Sequence, residues 1–477
     1  MYSLLKKIIT EKEMLRQISV LEQLMNHPTI TTKALAQEIH TTERTLFSDL
    51  QQIRDQLPTG WQLETSNQGI RLVHDESQLA NELLATFLPQ SMGIQLIKAL
   101  FFTKELTTTA FLNENGLSLE TLKRQVAKIN RQLQPYHLKI RATTKTIQLL
   151  GDESAIRIFY HRLLTPFTHN NYFFDDYTIH EEHYIQFLNN IKGSPLSVET
   201  EQIFGTCWFF INVIRIKANC RMETFSFNIE DPLFTKYEPL LIELYQQEGI
   251  YLHEVESFFA FFCFLESWNY NNTFGKDLQL ADLYPDLATL ATQLTEQIAT
   301  PEPMSLKRTG LSENLLLLLI KYHESSWLSE QFQLEYHELL DERRDKLPNY
   351  EETQRLALLE PVLGLDNPAY FLNLVSLLAQ QAFFSAYPLL LTVYFVFQGE
   401  PAWKAFLQQE LSDLLGRRVQ LRNLEVSEIE HTDFPVHSLI VSNIPLEHCP
   451  IEVCYLSTIP TKNELRQLTE LTLEYYL

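Results

Sequence analysis

The 477-residue chain has little glycine and little cysteine, and each shortage excludes a class of site. With 13 Gly, the sequence offers few glycine-rich loops of the kind that cradle phosphates, and it favours packed helices instead. The five cysteines are scattered and form no Cys-x-x-Cys pair; they are Cys207, Cys220, Cys263, Cys449 and Cys454. We therefore expect reduced, buried thiols rather than disulfides or a zinc site.

The chain also lacks an apolar run of membrane-spanning length. Its longest runs, "FFAFFCFL" (258–265) and "LLLLLI" (315–320), are far shorter than the roughly 18 residues that a bilayer requires. The N-terminus shows no continuous apolar segment followed by a small-residue cleavage site. We therefore expect a cytoplasmic protein that has no membrane partner.

Catalytic patterns are missing as well. The sequence contains no Ser/His/Asp or Cys/His arrangement, no phosphate-binding glycine motif and no metal-ligand spacing. We expect no catalytic residue, no metal and no cofactor.

Acidic residues are abundant, but their distribution is uneven. The formal net charge is −22, yet residues 1–154 carry 17 Lys and Arg against 16 Asp and Glu, which leaves 21 against 44 for residues 155–477. A near-neutral N-terminal third can still present a basic face to phosphates, whereas the acidic remainder would be repelled by them.

The N-terminal segment predicts three helices and a hairpin. Leu15, Ile18 and Leu21 share one helical face, and Thr31 can cap a second helix. The third helix has an apolar side formed by Leu46, Leu50, Ile53 and Leu57. Alternating apolar residues then flank the turn "SNQG" (66–69), which predicts a β-hairpin. This order is typical of a winged helix-turn-helix module.

A second copy of this pattern follows. "IRLVHDES" (70–77) and "IQLLGDES" (147–154) are similar, and the segments before them align at an offset of 76 in the third helix and 77 in the wing. The aligned pairs are Leu46/Leu122, Leu50/Val126, Ile53/Ile129, Leu57/Leu133, Leu63/Ile140, Ile70/Ile147 and Leu72/Leu149. We predict two winged helix-turn-helix modules, at residues 1–77 and 78–154, with Ser118 capping the third helix of the second.

The third helix of each module has the width and the positive N-terminal dipole that suit the DNA major groove. Side chains away from its apolar stripe are therefore candidates for contact with double-stranded DNA. They are Thr41, Thr42, Arg44, Thr45 and Ser48 in the first module, and Ser118, Thr121, Lys123, Arg124 and Lys128 in the second. Arg44 is the strongest guanine reader among these short side chains, so DNA shape is expected to contribute to specificity.

The remainder of the chain predicts three further domains. Residues 155–387 have helical apolar periodicity with a division near residue 290, which gives domains at 155–290 and 291–387. Residues 388–477 alternate strands such as "LLLTVYFVFQG" with helices, which predicts a small, mainly parallel sheet flanked by helices.

These parts in this order resemble the Mga-type regulators of Gram-positive bacteria. The resemblance covers essentially the whole chain. It is carried by the "RTL" recognition helix with its "GW" wing and by the duplication, while the middle domains match in pattern alone. It implies a mainly α-helical, multidomain transcriptional regulator, an activator or global regulator. The middle domains resemble the regulation domains of the sugar phosphotransferase system (PTS), and the tail is similar to its enzyme IIB domains.

In that wider family, paired histidines accept phosphate from PTS phosphocarrier proteins. The sequence departs from the pattern, because the expected histidine positions fall near Trp208 and Asn314, neither of which has an imidazole. The nearby histidines that remain as candidates are His161, His169, His180, His183, His253, His323 and His337, and of these we name His169, His180 and His323 as possible phospho-acceptors. The enzyme IIB nucleophile is also missing from the loop "QGEPAW" (398–403), so the tail is expected to serve contact and homodimerisation.

Three alternatives remain open. The chain could be a PTS-linked phosphotransfer enzyme, an RNA-binding antiterminator, or a scaffold that uses winged helices for protein contacts. The absent nucleophile argues against the enzyme, and the helical N-terminus argues against the antiterminator, whose RNA-binding domain is small and β-rich. Salt-dependent retardation of promoter duplex, without comparable retention of RNA hairpins, distinguishes the DNA-binding function from the others.

Overall fold

A computed structural model describes residues 3–75, 83, 86–165, 168, 174, 179–223, 225–298, 309–332, 365, 368–386, 391–416, 418–435, 437–446 and 449–475. The fold is mainly α-helical and multidomain, as predicted. It divides into one compact unit of Met1–Gln297 with Ser312–Val375, and another of Ile298–Leu311 with Ser376–Leu477. The candidate phospho-acceptor His169 lies outside the described residues. No helix among the described residues is long and apolar enough to cross a membrane.

The first module has the predicted order of three helices and a hairpin, preceded by one extra helix. Its elements are α1 (Ser3–Ile8), α2 (Lys12–Asn26), α3 (Thr32–Glu38), α4 (Glu43–Gln56), β1 (Trp61–Ser66) and β2 (Gly69–His74). The predicted cap of α3 is present, since Thr31 accepts a hydrogen bond from the amide of Ala34 at 3.2 Å. β1 and β2 pair antiparallel, and the inward side chains Trp61 and Ile70 are buried.

The second module repeats this arrangement. Its elements are α5 (Met92–Phe101), β3 (Glu105–Thr107), α6 (Thr108–Glu114), α7 (Leu119–Leu133), β4 (Lys139–Ala142) and β5 (Thr146–Leu150). The repeat includes a third strand that the sequence analysis did not predict, because Leu106 of β3 pairs with Ile147. The first module has a shorter version of it, a single bridge between Ile30 and Ile70. The two pairings follow the same offsets of 76 and 77 as the sequence repeat.

Helix α1 lies against the second module, although it precedes the first. It contacts α5, α7 and the following helix α8 (Glu153–Leu164). Gly93 of α5 permits this contact, because a Cβ there would lie 2.5 Å from the carbonyl oxygen of Ile8. Glu11, between α1 and α2, accepts hydrogen bonds from Ser91 Oγ and from the Met92 amide, both at 3.0 Å. A boundary at residue 77 therefore assigns to the first module a helix that packs on the second.

The middle of the chain is helical where it is described. After α8 come α9 (Glu181–Lys192), α10 (Gln202–Lys217), α11 (Pro232–Gln247), α12 (Glu254–Glu266), α13 (Leu280–Leu283), α14 (Pro285–Ile298), α15 (Leu311–Glu324), α16 (Ser326–Phe332) and α17 (Pro368–Ala386). Helices α10 and α12 are apolar on nearly all sides and are buried. The predicted division at residue 290 falls inside α14, so a boundary there would cut an uninterrupted helix.

A buried arginine joins this helical region to the second module. Arg215 of α10 is 3% exposed and forms a bidentate pair with Glu153 at 2.8 and 2.9 Å. Its remaining nitrogen donates to the carbonyl oxygens of Leu100 and Phe101, at 2.9 and 3.0 Å. These carbonyls end α5, where no intrahelical donor is left for them. The guanidinium of Arg215 thereby supplies hydrogen-bond donors to the carbonyl oxygens that end α5 of the second module.

The C-terminal domain is the parallel sheet with flanking helices that the sequence predicts. Its elements are β6 (Leu391–Val396), α18 (Pro401–Leu415), β7 (Val419–Asn423), β8 (Ser438–Ser442), β9 (Val453–Tyr455) and α19 (Lys462–Glu474). The strand order is β7-β6-β8-β9, and all three neighbouring pairs are parallel. β6 is buried on both faces, which explains its continuous apolar sequence.

Candidate nucleic-acid interface

The two candidate recognition helices begin with the same cap. Thr42 accepts a hydrogen bond from the Thr45 amide at 3.2 Å, and Ser118 accepts one from the Thr121 amide at 3.1 Å. In both caps the two hydroxyl groups also bond each other, at 2.9 and 3.0 Å. A side-chain cap stabilises a helix N-terminus by about 1 kcal/mol. Four of the predicted DNA-binding residues thus also set the starts of their helices.

A buried ion pair fixes the orientation of α4. Asp49 lies on its inner face, is fully buried, and binds the guanidinium of Arg16 on α2 through two hydrogen bonds. The hydrogen bond from Arg16 to Asp49 raises the pKa of Arg16 further, despite the opposing effect of burial. Because the pair joins α2 to α4, it holds the first candidate recognition helix at one angle.

The outer face of α4 carries mixed chemistry. Arg44 and Ser48 are exposed, and Thr41 and Thr45 are partly exposed, as expected for residues off the apolar stripe. Phe47 lies between them with 56% of its surface exposed. Among the described residues no carboxylate forms an ion pair with Arg44. The sequence analysis did not identify Phe47 as a surface residue.

The outer face of α7 is cationic. Lys123, Arg124 and Arg131 are exposed, and none of them forms an ion pair with another described residue. Lys128 differs, because its ammonium donates to the carbonyl oxygen of Thr10 at 3.3 Å. It therefore lies on the flank of α7 that faces the N-terminal segment, apart from the other three.

The wings differ in charge. In the first wing, Arg71 pairs with Glu64 across the hairpin at 2.7 Å, and both side chains are about half exposed. In the second wing, Arg141 donates to the neutral side chain of Gln148 at 2.7 Å, and Lys139 and Lys145 are exposed. The second wing therefore keeps its positive charge, while that of the first is partly neutralised.

The remaining histidine candidates lie in different surroundings. His180 is half exposed, with Nδ1 3.2 Å from Glu248, and His323 is exposed beside the ring of Tyr284. Trp208 is buried and stacks on His161 with the ring centroids 4.1 Å apart. Burial lowers the pKa of His161 well below its usual value.

Asn314, the other expected histidine position, is also buried. Its amide bonds the side chain of Asn271 at 2.8 Å and accepts from the Asn271 backbone at 2.6 Å. Neither Trp208 nor Asn314 therefore offers an imidazole or an accessible acceptor for phosphate.

Three sequence families match the chain. Residues 11–69 match the M protein trans-acting positive regulator (MGA) HTH domain, and residues 76–164 match the Mga helix-turn-helix domain. Residues 283–385 match a non-canonical single-stranded DNA-binding domain. In the described part of that last range, Lys321 is the only Lys or Arg, and it is buried against Glu266. Within the described structure, exposed cations suited to nucleic acid therefore lie on the N-terminal modules rather than there.

Two proteins of Bacillus anthracis are similar over long stretches. The capsule synthesis positive regulator AcpB is 20% identical over 494 residues, covering 98% of this chain and 99% of the relative. The anthrax toxin expression trans-acting positive regulator is 23% identical over 303 residues, covering 62% and 63%. The two helix-turn-helix matches coincide with the two modules whose helices and wings are described above. The chain therefore carries the paired helix-turn-helix domains of the Mga-type DNA-binding transcriptional regulators.

Proposed function

We propose that the chain is a positive regulator that binds promoter duplex with a division of labour between its modules. Helix α4 reads base edges in the major groove, and helix α7 with its wing holds the phosphate backbone. The observation that carries this proposal is the contrast between two equally capped helices, one with a mixed outer face and one with a cationic outer face.

The chemistry of α4 suits base recognition. Arg44 is the second residue of the helix, close to the end that enters a major groove first, and a guanidinium can donate two hydrogen bonds to guanine O6 and N7. Phe47, one turn further, offers an apolar surface to a thymine methyl group. Ser48 adds a short hydroxyl that can donate to or accept from a base edge. Phe47 is costly to expose without a partner, which supports a contact made on DNA.

The chemistry of α7 suits the backbone instead. Lys123 and Arg124 lie in its first two turns, where the helix dipole adds to their positive charge. Neither has an acidic partner among the described residues, so a phosphate would not have to displace one. Lys139 and Lys145 extend the same charge into the wing. The acidic body of the chain favours DNA contact through these modules alone.

Two substitutions in the full-length protein separate the roles. Arg44→Ala should weaken binding by about 1–3 kcal/mol and relax the preference at one base position. Lys123→Gln should weaken binding by the same factor for every DNA sequence, because a phosphate contact does not depend on the bases. It should also reduce the slope of the logarithm of the binding constant against the logarithm of the salt concentration by about 1. Gel-shift titrations at several salt concentrations measure both effects. The DNA duplexes are chosen from genomic fragments that the parent protein binds.

Lys192→Gln is the matched control, because it removes an exposed charge from the end of α9, outside both modules. It should leave affinity, base preference and salt slope unchanged. The proposal is refuted if Arg44→Ala keeps both the affinity and the sequence preference of the parent protein, or if Lys123→Gln and Lys192→Gln behave alike.

Activation of transcription and homodimerisation belong to the same proposal. Both Bacillus anthracis relatives are named as positive regulators, so deletion of the gene should lower the transcripts next to the bound sites. For self-association, α18 offers exposed apolar side chains, with Phe406 56% and Leu414 48% exposed and Trp403 stacked on Phe406 at 5.5 Å. Sedimentation of a Phe406→Ser/Leu414→Ser variant as a monomer, where the parent is a dimer, tests this contact.

Control by PTS phosphocarriers is the last part of the proposal. His323 is exposed on α15, and the Nδ1 of His180 faces Glu248, a partner that would orient the ring with Nε2 outward. Incubation with labelled, phosphorylated phosphocarrier should label the chain, and His180→Ala or His323→Ala should reduce the label. A chain that takes up no label would remove this part while leaving DNA binding untouched.

A further inference from the structure

Two histidines and a glutamate meet in the helical region at a point that the DNA-binding function does not use. His180 occupies the residue before α9, and His183 lies in its first turn. This spacing of three residues places both rings on one side of the helix start, with the ring centroids 5.0 Å apart. The sequence alone did not reveal the site because Glu248 is 65 residues beyond His183.

Glu248 brings a carboxylate between the two rings. It follows the last residue of α11, and its side chain is 1% exposed. Oε1 lies 2.9 Å from Nδ1 of His183 and 3.2 Å from Nδ1 of His180. Burial alone would raise the pKa of Glu248, but hydrogen bonds from His183, His180 and Lys217 lower it overall. The carboxylate is therefore within ligand distance of both imidazole rings.

The distances among these atoms are those of a small coordination sphere. The three ligand atoms all lie within 4.8 Å of one another. In a tetrahedral zinc site with bonds of about 2.0–2.1 Å, neighbouring ligand atoms are about 3.3 Å apart. One ion can therefore replace the two hydrogen bonds to Oε1 with small movements of the imidazole rings.

We propose that His180, His183 and Glu248 form a binding site for Zn²⁺ or a similar first-row divalent ion. Two imidazole nitrogens and one carboxylate oxygen are a ligand set that Zn²⁺ uses with a water in the fourth position. The side chains of His180 and His183 are 49% and 26% exposed, so an ion can enter from solvent while Glu248 remains buried.

Lys217 sets the strength of the site. Its ammonium lies 3.3 Å from Oε2 of Glu248, whereas both histidines bond Oε1. This contact orients the carboxylate, but its positive charge also opposes a divalent ion a short distance away. Removal of the ammonium should therefore strengthen ion binding, whereas a site that is only a hydrogen-bond network would take up no ion with or without Lys217.

The bound ion would join the start of α9 to the end of α11. It should therefore raise the thermal midpoint of the full-length chain, because a ligand that binds the folded state alone stabilises it in proportion to the logarithm of its concentration over Kd.

The test uses the full-length protein after dialysis against a chelator, titrated with Zn²⁺ by calorimetry and with Co²⁺ as a spectroscopic probe. We expect one equivalent of Zn²⁺ and visible Co²⁺ bands of a four-coordinate site without thiolate charge transfer. His180→Gln should reduce the affinity at least about tenfold and remove the rise in thermal midpoint. Because His180 is half exposed, this variant should fold; far-UV circular dichroism checks it.

Two further variants make the result specific. His253→Gln is the matched control, since His253 is an exposed histidine that also precedes a helix, α12, and it should leave Zn²⁺ binding unchanged. Lys217→Met should increase the affinity at least about tenfold. The proposal is overturned by any of three results: no Zn²⁺ uptake by the parent chain, equal affinities of His180→Gln and His253→Gln, or Co²⁺ bands that indicate cysteine ligation.

Discussion

Replacing Glu324 with glutamine should make the chain more stable at alkaline pH. Glu324 ends α15 and lies beside Tyr284, whose hydroxyl is 3.3 Å from its Oε1 and donates to Asp231 at 2.8 Å. Burial, followed by the hydrogen bond and the negative charge of Asp231, raises the pKa of Glu324 from 4.5 to about 9. The folded chain therefore holds a proton on Glu324 at neutral pH.

The sign of the pH dependence follows from this shift. A carboxyl group whose pKa is raised by folding contributes its full stability below about pH 4.5, and the contribution falls as the pH rises towards 9. Each pH unit in this window costs about 1.4 kcal/mol. From about pH 6 to about pH 8, the parent protein should lose roughly 3 kcal/mol relative to Glu324→Gln, whose amide is neutral and can still donate to Asp231.

Urea unfolding followed by tryptophan fluorescence at these two pH values measures the difference. Glu243→Gln on α11 is the control, because Glu243 is exposed and the same charge is removed. It should shift the unfolding curve by less than about 0.5 kcal/mol at either pH. The reasoning is wrong if the difference in free energy of unfolding between the parent and Glu324→Gln is the same at both pH values.

Other substitutions test the contacts that hold the modules together. Asp49→Asn should lower the free energy of unfolding by about 2–4 kcal/mol, because it leaves a partly buried guanidinium without its charged partner, and urea titration measures the loss. Arg215→Met should cost about 3–5 kcal/mol, because it leaves two helix-end carbonyls without a donor and removes two of the hydrogen bonds to the buried carboxylate of Glu153, whereas Arg221→Met at an exposed position should cost under about 0.5 kcal/mol. Gly93→Ala should detach α1 and lower the thermal midpoint of the chain by several degrees, and retention of the parent midpoint would contradict the close contact at this glycine.

Local features of the fold were predictable from the sequence. The caps at Thr31 and Ser118 and the hairpin turns depend on neighbouring residues, and the duplication is readable because each aligned pair fills an equivalent core position. The parallel sheet follows from the alternation of apolar strands with helices in the last ninety or so residues.

Contacts between distant residues were not predictable in the same way. Nothing in the amphipathic pattern of residues 3–8 indicates which module that helix packs against, because either apolar surface would accept it. The contact depends instead on the missing side chain at Gly93. Phe47 went unrecognised for a different reason, since an aromatic residue in a helix usually indicates core, and its exposure is known only once the neighbouring helices are placed.

The joint formed by α1 and Glu11 has a consequence for the operator. Glu11 caps the first helix of the second module, and α2 of the first module begins at the next residue. The two modules are therefore joined at this point without an intervening linker. Such a joint fixes the distance between the two duplex segments that the modules can contact at the same time. DNA turns once in about 10.5 base pairs, so inserting about five base pairs between the two contacted segments would turn one of them to the opposite side of the double helix. The second module could then no longer contact its segment while the first module is bound.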